Sequence, residues 1–387
     1  MQVTEKCLEL ITHKSIIVPA PAVRESRSVA SASPGCGRMH ICSIIVMILL
    51  PLAAESAPPV ELRPWLEMPQ TWERDFERPV LSLGLPGAFD DTHIFAPAVA
   101  LENDEFKLWY CGSRSTVAER VFRLGLVTSK DGRLFGQRSD RPVYSFGDGK
   151  HSILTPTLLR HPDGATLRED GQLRLWFSAT WFEGSSDLHT LHESRSDDGV
   201  RWSKPSEPLL ENIYAPTIIK TGRLYQMWFT DVGGMPWIIR HASSPDGRQW
   251  RVTREPCIVI DQRWETRRLF YPTVVKIDGV YFMWYGSYWS DRPNTTAIGF
   301  AASLDGLEWY KNTQNPVFRP EPQRPWESHY VTSQAVMRLE DGSIRMWYAS
   351  RKMPPFVNKY FAINTAVWRN DGQSQKPDPE QQSGEKE

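Results

Sequence analysis

With 387 residues, 40% of them hydrophobic, the chain can bury a large core. Its 45 lysines and arginines nearly cancel its 46 aspartates and glutamates, so no overall basic field directs it to nucleic acid or to an anionic membrane surface. Sixteen tryptophans suggest stacked sheets instead, with some left over for a ligand.

From the N-terminus, residues 39–57 (MHICSIIVMILLPLAAESA) follow Arg38 with an apolar run and then small residues, the layout of a secretory signal. The run is shorter than the ~20 residues a bilayer span needs, so no stable membrane insertion is expected after cleavage, and the mature protein is expected to be secreted or periplasmic. Cleavage removes Cys7, Cys36 and Cys42; the spacing of Cys111 and Cys257 suggests neither a zinc site nor a disulfide framework. The expected organisation is an extension and signal over 1–57, a linker over 58–71, one domain over 72–370 and a disordered polar tail over 371–387.

Five segments then repeat: FKLWYCGS at 106, LRLWFSAT at 173, YQMWFTDV at 225, YFMWYGSY at 281 and IRMWYASR at 344. Their tryptophans, Trp109, Trp176, Trp228, Trp284 and Trp347, are 67, 52, 56 and 63 residues apart, a period that fits one small antiparallel sheet per repeat. Ahead of each lies a first strand: FAPAVA, LTPTLL, YAPTII, FYPTVV and TSQAVM. After it comes a third strand, ending in the first four repeats at an Asp-Gly turn, a hairpin signal read as type I′ because Gly tolerates positive φ. Fourth strands follow, each with a proline suited to an outer edge. The fifth repeat lacks its own, and residues 72–81 (WERDFERPVL) match the missing piece, with Trp72 seven residues before Pro79 as Trp309 is before Pro316. The expectation is therefore an all-β, five-bladed β-propeller of four-stranded antiparallel blades, closed by an N-terminal strand, with the repeated tryptophans inside its walls.

In such a ring the second-to-third and fourth-to-first connections share one end, called here the loop end; the opposite, turn end carries short hairpins, apart from the long RHPDGATLREDG at 160. Long loops on one face of a rigid scaffold are where binding usually sits. Acids recur there: Asp90, Glu265 and Glu327 each stand seven residues before Pro97, Pro272 and Gln334, with Asp91 beside the first, and Asp148 and His151 in the matching connection of blade two. Such acids either tie each blade to its neighbour or serve a ligand. Trp181 and Trp289 have no place fixed by the repeat and are candidates for a sugar-stacking platform, and Arg351 for clamping a carboxylate or a hydroxyl-rich substrate, a solvated surface role being the alternative.

The blade count, the APTII type of first strand, the MWY strand and the ASSPDGRQW hairpin together resemble the superfamily of arabinanases, invertases and levansucrases, including glycoside hydrolase families 43, 32 and 130. The resemblance covers about residues 72–369 and implies the propeller and a carbohydrate ligand, an oligo- or polysaccharide; no cofactor is expected, and no residue spacing recommends a metal site. Families 43 and 32 place a catalytic Asp immediately before the first-strand proline; here that position is Ala96, with Thr155, Ala215, Tyr271 and Ser333 in the later repeats. If the protein is a glycosidase, the work passes to Asp91 as base and Glu265 or Glu327 as acid, two carboxylates about 6.5–9.5 Å apart in an inverting enzyme. Asp231 would then orient or tune them, and Asp90, His151, Trp181, Trp289 and Arg351 would bind substrate. The alternative is a non-catalytic glycan-binding propeller that has lost the usual Asp. A monomer is expected in either case.

Overall fold

Strands covered on both faces should be apolar at successive positions instead of alternating. Leu173–Thr180 is buried at every position, and Val280–Trp289 at seven in succession. The computed structural model describes residues 57–116, 119–136, 138–139, 141–182, 188–352 and 362–369, so the expected signal segment and tail, with Cys7, Cys36 and Cys42, lie outside the described residues. Five small antiparallel sheets form the blades of a β-propeller. The first strands of blades one to five are His93–Glu102, Ser152–Leu158, Ile213–Thr221, Glu265–Ile277 and Tyr330–Arg338. In blade four, for example, Val280–Trp289, Thr296–Ser303 and Tyr310–Lys311 follow outward.

Each fourth strand touches the third at two places, the second of which lies two residues beyond its proline. In blade four these are Tyr310–Lys311 and a bridge from Phe318 to Ile298; in blade three, Arg251–Val252 and a bridge from Ile258 to Ile239. In blade one they are the Gly136 N–H donating to the Thr128 carbonyl at 2.8 Å and a bridge from Tyr144 to Leu124. The N-terminal segment reproduces the pattern in blade five, where Trp72–Arg74 and Leu81–Ser82 both pair with Ala362–Trp368. The ring is thus closed by a strand from the other end of the chain. Residues 58–71, expected as a linker, are docked as well: a helical turn Arg63–Leu66 buries Leu66, Leu62 is fully buried, and Asn312 donates to the carbonyls of Trp65 and Met68 at 3.0 Å.

The five repeated tryptophans have no exposed surface and fasten neighbouring blades. Trp109, Trp176, Trp228 and Trp347 each donate the indole N–H to the carbonyl of the Asp-Gly glycine in the next blade, Gly199, Gly247, Gly306 and Gly132, at 2.8–2.9 Å. Glycine is needed at Gly199 twice over: its φ is +78°, and a Cβ would lie 2.8 Å from Trp109. The turn is not the expected type I′, which needs positive φ at both central residues. Only the glycine is left-handed, and Asp198 Oδ1 instead accepts the backbone N–H groups of Val200 and Arg201 at 2.8 Å. Among the described residues no turn glycine serves Trp284, whose indole instead donates to the side chain of Gln70 at 3.1 Å.

Every first strand carries a register shift midway, at Phe95/Ala98, Leu154/Thr157, Tyr214/Thr217, Phe270/Thr273 and Thr332/Ala335. At these bulges Ala96, Thr155, Ala215, Tyr271 and Ser333 adopt φ of 46–53°. Bulges re-aim side chains and cluster beside functional sites. The bulges also bond to one another: Ala96 N–H donates to Ser333 Oγ at 3.3 Å and Ala215 N–H to Thr155 Oγ1 at 3.1 Å.

Candidate functional site

None of those five bulged residues is acidic. The space on their loop-end side is filled by rings. Tyr271 and Tyr214 join their hydroxyls at 2.5 Å, Phe95 lies edge-on to Phe122, and Phe270, Tyr288 and Tyr330 continue the series. Burial pushes the Tyr214 phenol well up, so it stays protonated.

The acids of the fourth-to-first connections are brought into three equivalent arrangements, one per blade. Asp90 accepts from Tyr110 at 2.8 Å and Arg138 at 2.6 Å; Glu265 from Tyr285 at 2.7 Å and Lys311 at 2.8 Å; Glu327 from Tyr348 at 2.6 Å and Arg74 at 2.5 Å. In each the tyrosine follows the repeated tryptophan on the second strand and the cation comes from the segment running along the blade's outer edge. Their carboxylate side chains are fully buried. Burial pushes the Glu327 carboxyl up, against the pull of Arg74 and its bond from Tyr348. It pushes the Tyr285 and Tyr348 phenols up too, and the neighbouring carboxylates add to that. Glu265 also receives the backbone N–H groups of Asp261 and Gln262 at 3.1 Å. The third strand makes room for the ring: a Cβ on Gly299 would lie 2.8 Å from Tyr285.

The signal for this triad was present in the sequence. Blades two and three have Phe177 and Phe229 where the tyrosine stands, and Gly149 and Leu209 where the acid stands. Acid and hydroxyl are therefore present or absent together, which marks them as partners.

Of the remaining sequence candidates, Asp91 is folded into its own loop, accepting from Gly87 N–H at 2.8 Å and Thr92 Oγ1 at 2.8 Å. Asp231 pairs with Arg240 at 2.7 Å. Trp289 stands between Arg292 and Arg319, 5.9 and 5.4 Å from its ring, beside a crevice of about 480 Å³. Arg351 lies 4.9 Å from the ring of Tyr330, which stacks on His329 at 5.3 Å. Among the described residues no hydrogen bond or ion pair joins Asp91, Glu265 and Glu327 to one another; each is engaged with partners of its own.

One group of candidates does converge. Trp181, 40% exposed, lies 6.1 Å from His151 and has the Lys150 ammonium 5.0 Å from its ring. His151 Nδ1 meets Asp148 Oδ2 at 2.5 Å and its ring lies 4.8 Å from Phe146. Burial opposes ionisation of Asp148, but the His151 bond and the N–H groups of Lys150 and His151 hold it down at about 2. Asp148, His151 and Phe146 line a crevice of about 1010 Å³ between the outer strands of blades one and two, with His192 and Trp202 opposite.

No family model matches the chain. It is 26% identical over 236 residues to the uncharacterized protein Rv1502 of Mycobacterium tuberculosis, spanning 58% of this chain and 75% of that one. A solved glycoside hydrolase superposes with a TM-score of 0.62 at 15% identity, covering 79% of this chain and 93% of its own. A structure from the GH130 family of mannoside phosphorylases, described as containing glycoside hydrolases that target beta-1,2 mannosidic linkages in Candida mannan, gives 0.61 at 15% identity, with 78% and 94% covered. An N-acetylgalactosamine deacetylase from F. plautii, in complex with blood group B trisaccharide, gives 0.57 at 14% identity, with 78% and 94% covered. At these identities the likeness is one of fold, and the fold is that of glycoside-hydrolase-like five-bladed propellers, as the sequence motifs implied.

Proposed function

We propose that this chain is a carbohydrate-binding propeller that holds an oligo- or polysaccharide at its loop end without cleaving it. The observation that carries the reading is the exposed Trp181 indole, flanked by Lys150 and by the His151–Asp148 pair, whose two side chains line a crevice of about 1010 Å³. A sugar offers an apolar C–H face to an aromatic ring and hydroxyls to its charged neighbours, which is the chemistry this group presents. Glycoside cleavage requires two carboxylates facing each other across the scissile bond. Asp90, Glu265 and Glu327 have their carboxylates committed to buried tyrosine–cation pairs, which favours binding over turnover. Export through residues 39–57 and a monomeric state belong to the same reading.

Glycan-array screening followed by calorimetric titration of the best oligosaccharide tests it. Trp181→Ala should weaken binding by about tenfold or more, the loss of roughly 1.4 kcal/mol of stacking, with the melting temperature unchanged. Undiminished affinity in that variant would displace the site, and sustained release of reducing ends would restore the glycosidase alternative.

A further inference from the structure

The ring has a second concavity, at the turn end. Beyond the bulges the five first strands surround an axial cavity of about 360 Å³, within the ~300–1,000 Å³ range of small-molecule pockets. Toward the loop end stands the joined Tyr214–Tyr271 pair. The long connection after blade two's first strand runs across the turn end, and its Arg160, His161 and Pro162 form part of the cavity wall. It is seated on blade one by Gly164 O accepting from Leu101 N–H at 2.7 Å and Leu101 O accepting from Thr166 N–H at 3.0 Å. From there it reaches blade five: a Cβ on Gly164 would strike Met337, and Arg160 Nη2 donates to the carbonyl of Val336.

Two buried polar atoms on residues of this wall have no partner, Gln334 Oε1 and Arg160 Nη1. Gln334 is 5% exposed and stands where blades one to four have Pro97, Pro156, Pro216 and Pro272, so the only amide in that ring of five positions belongs to blade five. Its orientation is fixed, because Nε2 donates to two carbonyls, Tyr271 O at 2.7 Å and Trp284 O at 2.9 Å, and turning the amide over would set oxygen against oxygen. A fixed acceptor and a guanidinium donor therefore remain unsatisfied on one small cavity, and such groups call for a partner. Burial lowers Arg160 to about 10, with Asp163 opposing, which leaves it charged at neutral pH.

We propose that the axial cavity is a binding site for a small hydroxylated anion of monosaccharide size, a sugar acid or a sugar phosphate. Its anionic group meets Arg160 and one of its hydroxyls donates to Gln334 Oε1. The site is separate from the Trp181 surface and does not depend on that assignment.

Calorimetric titration of the full chain with glucuronate, glucose 6-phosphate, glucose and inorganic phosphate tests this, using wild type, Gln334→Leu, Arg160→Met and Trp181→Ala. At least one of the two hydroxylated anions should bind, and which one identifies the anionic group as carboxylate or phosphate. Gln334→Leu and Arg160→Met should each weaken that binding about tenfold or more, since a hydrogen bond to a charged or buried partner is lost. Trp181→Ala should leave it unchanged. Because Arg160 also anchors the crossing segment, Gln334→Leu with an unaltered near-ultraviolet circular dichroism spectrum is the deciding variant. No binding of either anion, meaning ordered water only, would overturn the proposal. So would unchanged affinity in Gln334→Leu, or glucose binding as well as the anions.

Discussion

The indole of Trp284 donates to Gln70 Oε1 at 3.1 Å, while the other four repeated tryptophans donate to a glycine carbonyl of the next blade's turn. Among the described residues no such glycine reaches Trp284, and a side chain from the N-terminal segment that supplies blade five's outer strand fills the acceptor position. Closure and fastening are thus supplied together. Gln70 Oε1 also accepts from the Trp72 indole at 3.2 Å, so Gln70→Leu should leave two buried indole N–H groups unpaired and lower stability by about 1–3 kcal/mol or more in chemical denaturation. Trp284→Ala should cost on the order of 3–5 kcal/mol, as a large-to-small core substitution. A Gln70→Leu protein as stable as wild type would remove this bond from the account of closure.

The acid triads make a second, separable prediction. Replacing Glu327 by Gln removes the charge beside the buried Arg74, and breaking one side of a buried pair costs about 3–5 kcal/mol. Asp90→Asn and Glu265→Gln should destabilise in the same direction, and all three variants should keep wild-type oligosaccharide affinity. Retained stability with lost affinity in any one of them would move that residue from the blade interior to the ligand.

The blades were legible because their signals are local: a tryptophan strand, an Asp-Gly turn a few residues on, a proline near each outer edge. The N-terminal outer strand was legible by elimination, since only Trp72–Leu81 matched the missing piece. The role of the acids was not, because Glu327 meets a cation 253 positions away in the chain, and spacing alone carries no information about such a partner. Gln70 was hidden for a similar reason. Its function exists only once blades four and five are side by side, and nothing in a Pro-Gln-Thr stretch announces it. Trp181 and His151 were recognisable singly as candidates on loops, but their meeting depends on how two connections of blade two fold over its edge.

His241 gives the fold a pH dependence. It is 4% exposed beside Trp228, neither ring nitrogen has a hydrogen-bond partner, and burial pulls it down to about 4, with Asp305 opposing. Between about pH 6.5 and 4 the unfolded chain binds a proton that the folded chain refuses, so stability falls as the pH falls through this window. The full effect of such a shift is on the order of 3 kcal/mol. His241→Phe, followed by urea denaturation at pH 7 and pH 4.5, should show a smaller loss between the two than wild type. An identical loss would assign the acid sensitivity to other groups.

The central claim is that the propeller presents a sugar-binding surface without a facing pair of catalytic carboxylates, and reducing-end release from a bound oligosaccharide tests it most directly. With the ligand saturating by calorimetry, wild-type protein should release reducing ends no faster than Asp91→Asn, Glu265→Gln and Glu327→Gln variants or buffer alone. Sustained turnover by the wild type, abolished in two of those variants that still fold and bind, would contradict the account and make those two carboxylates the acid and base of a glycosidase.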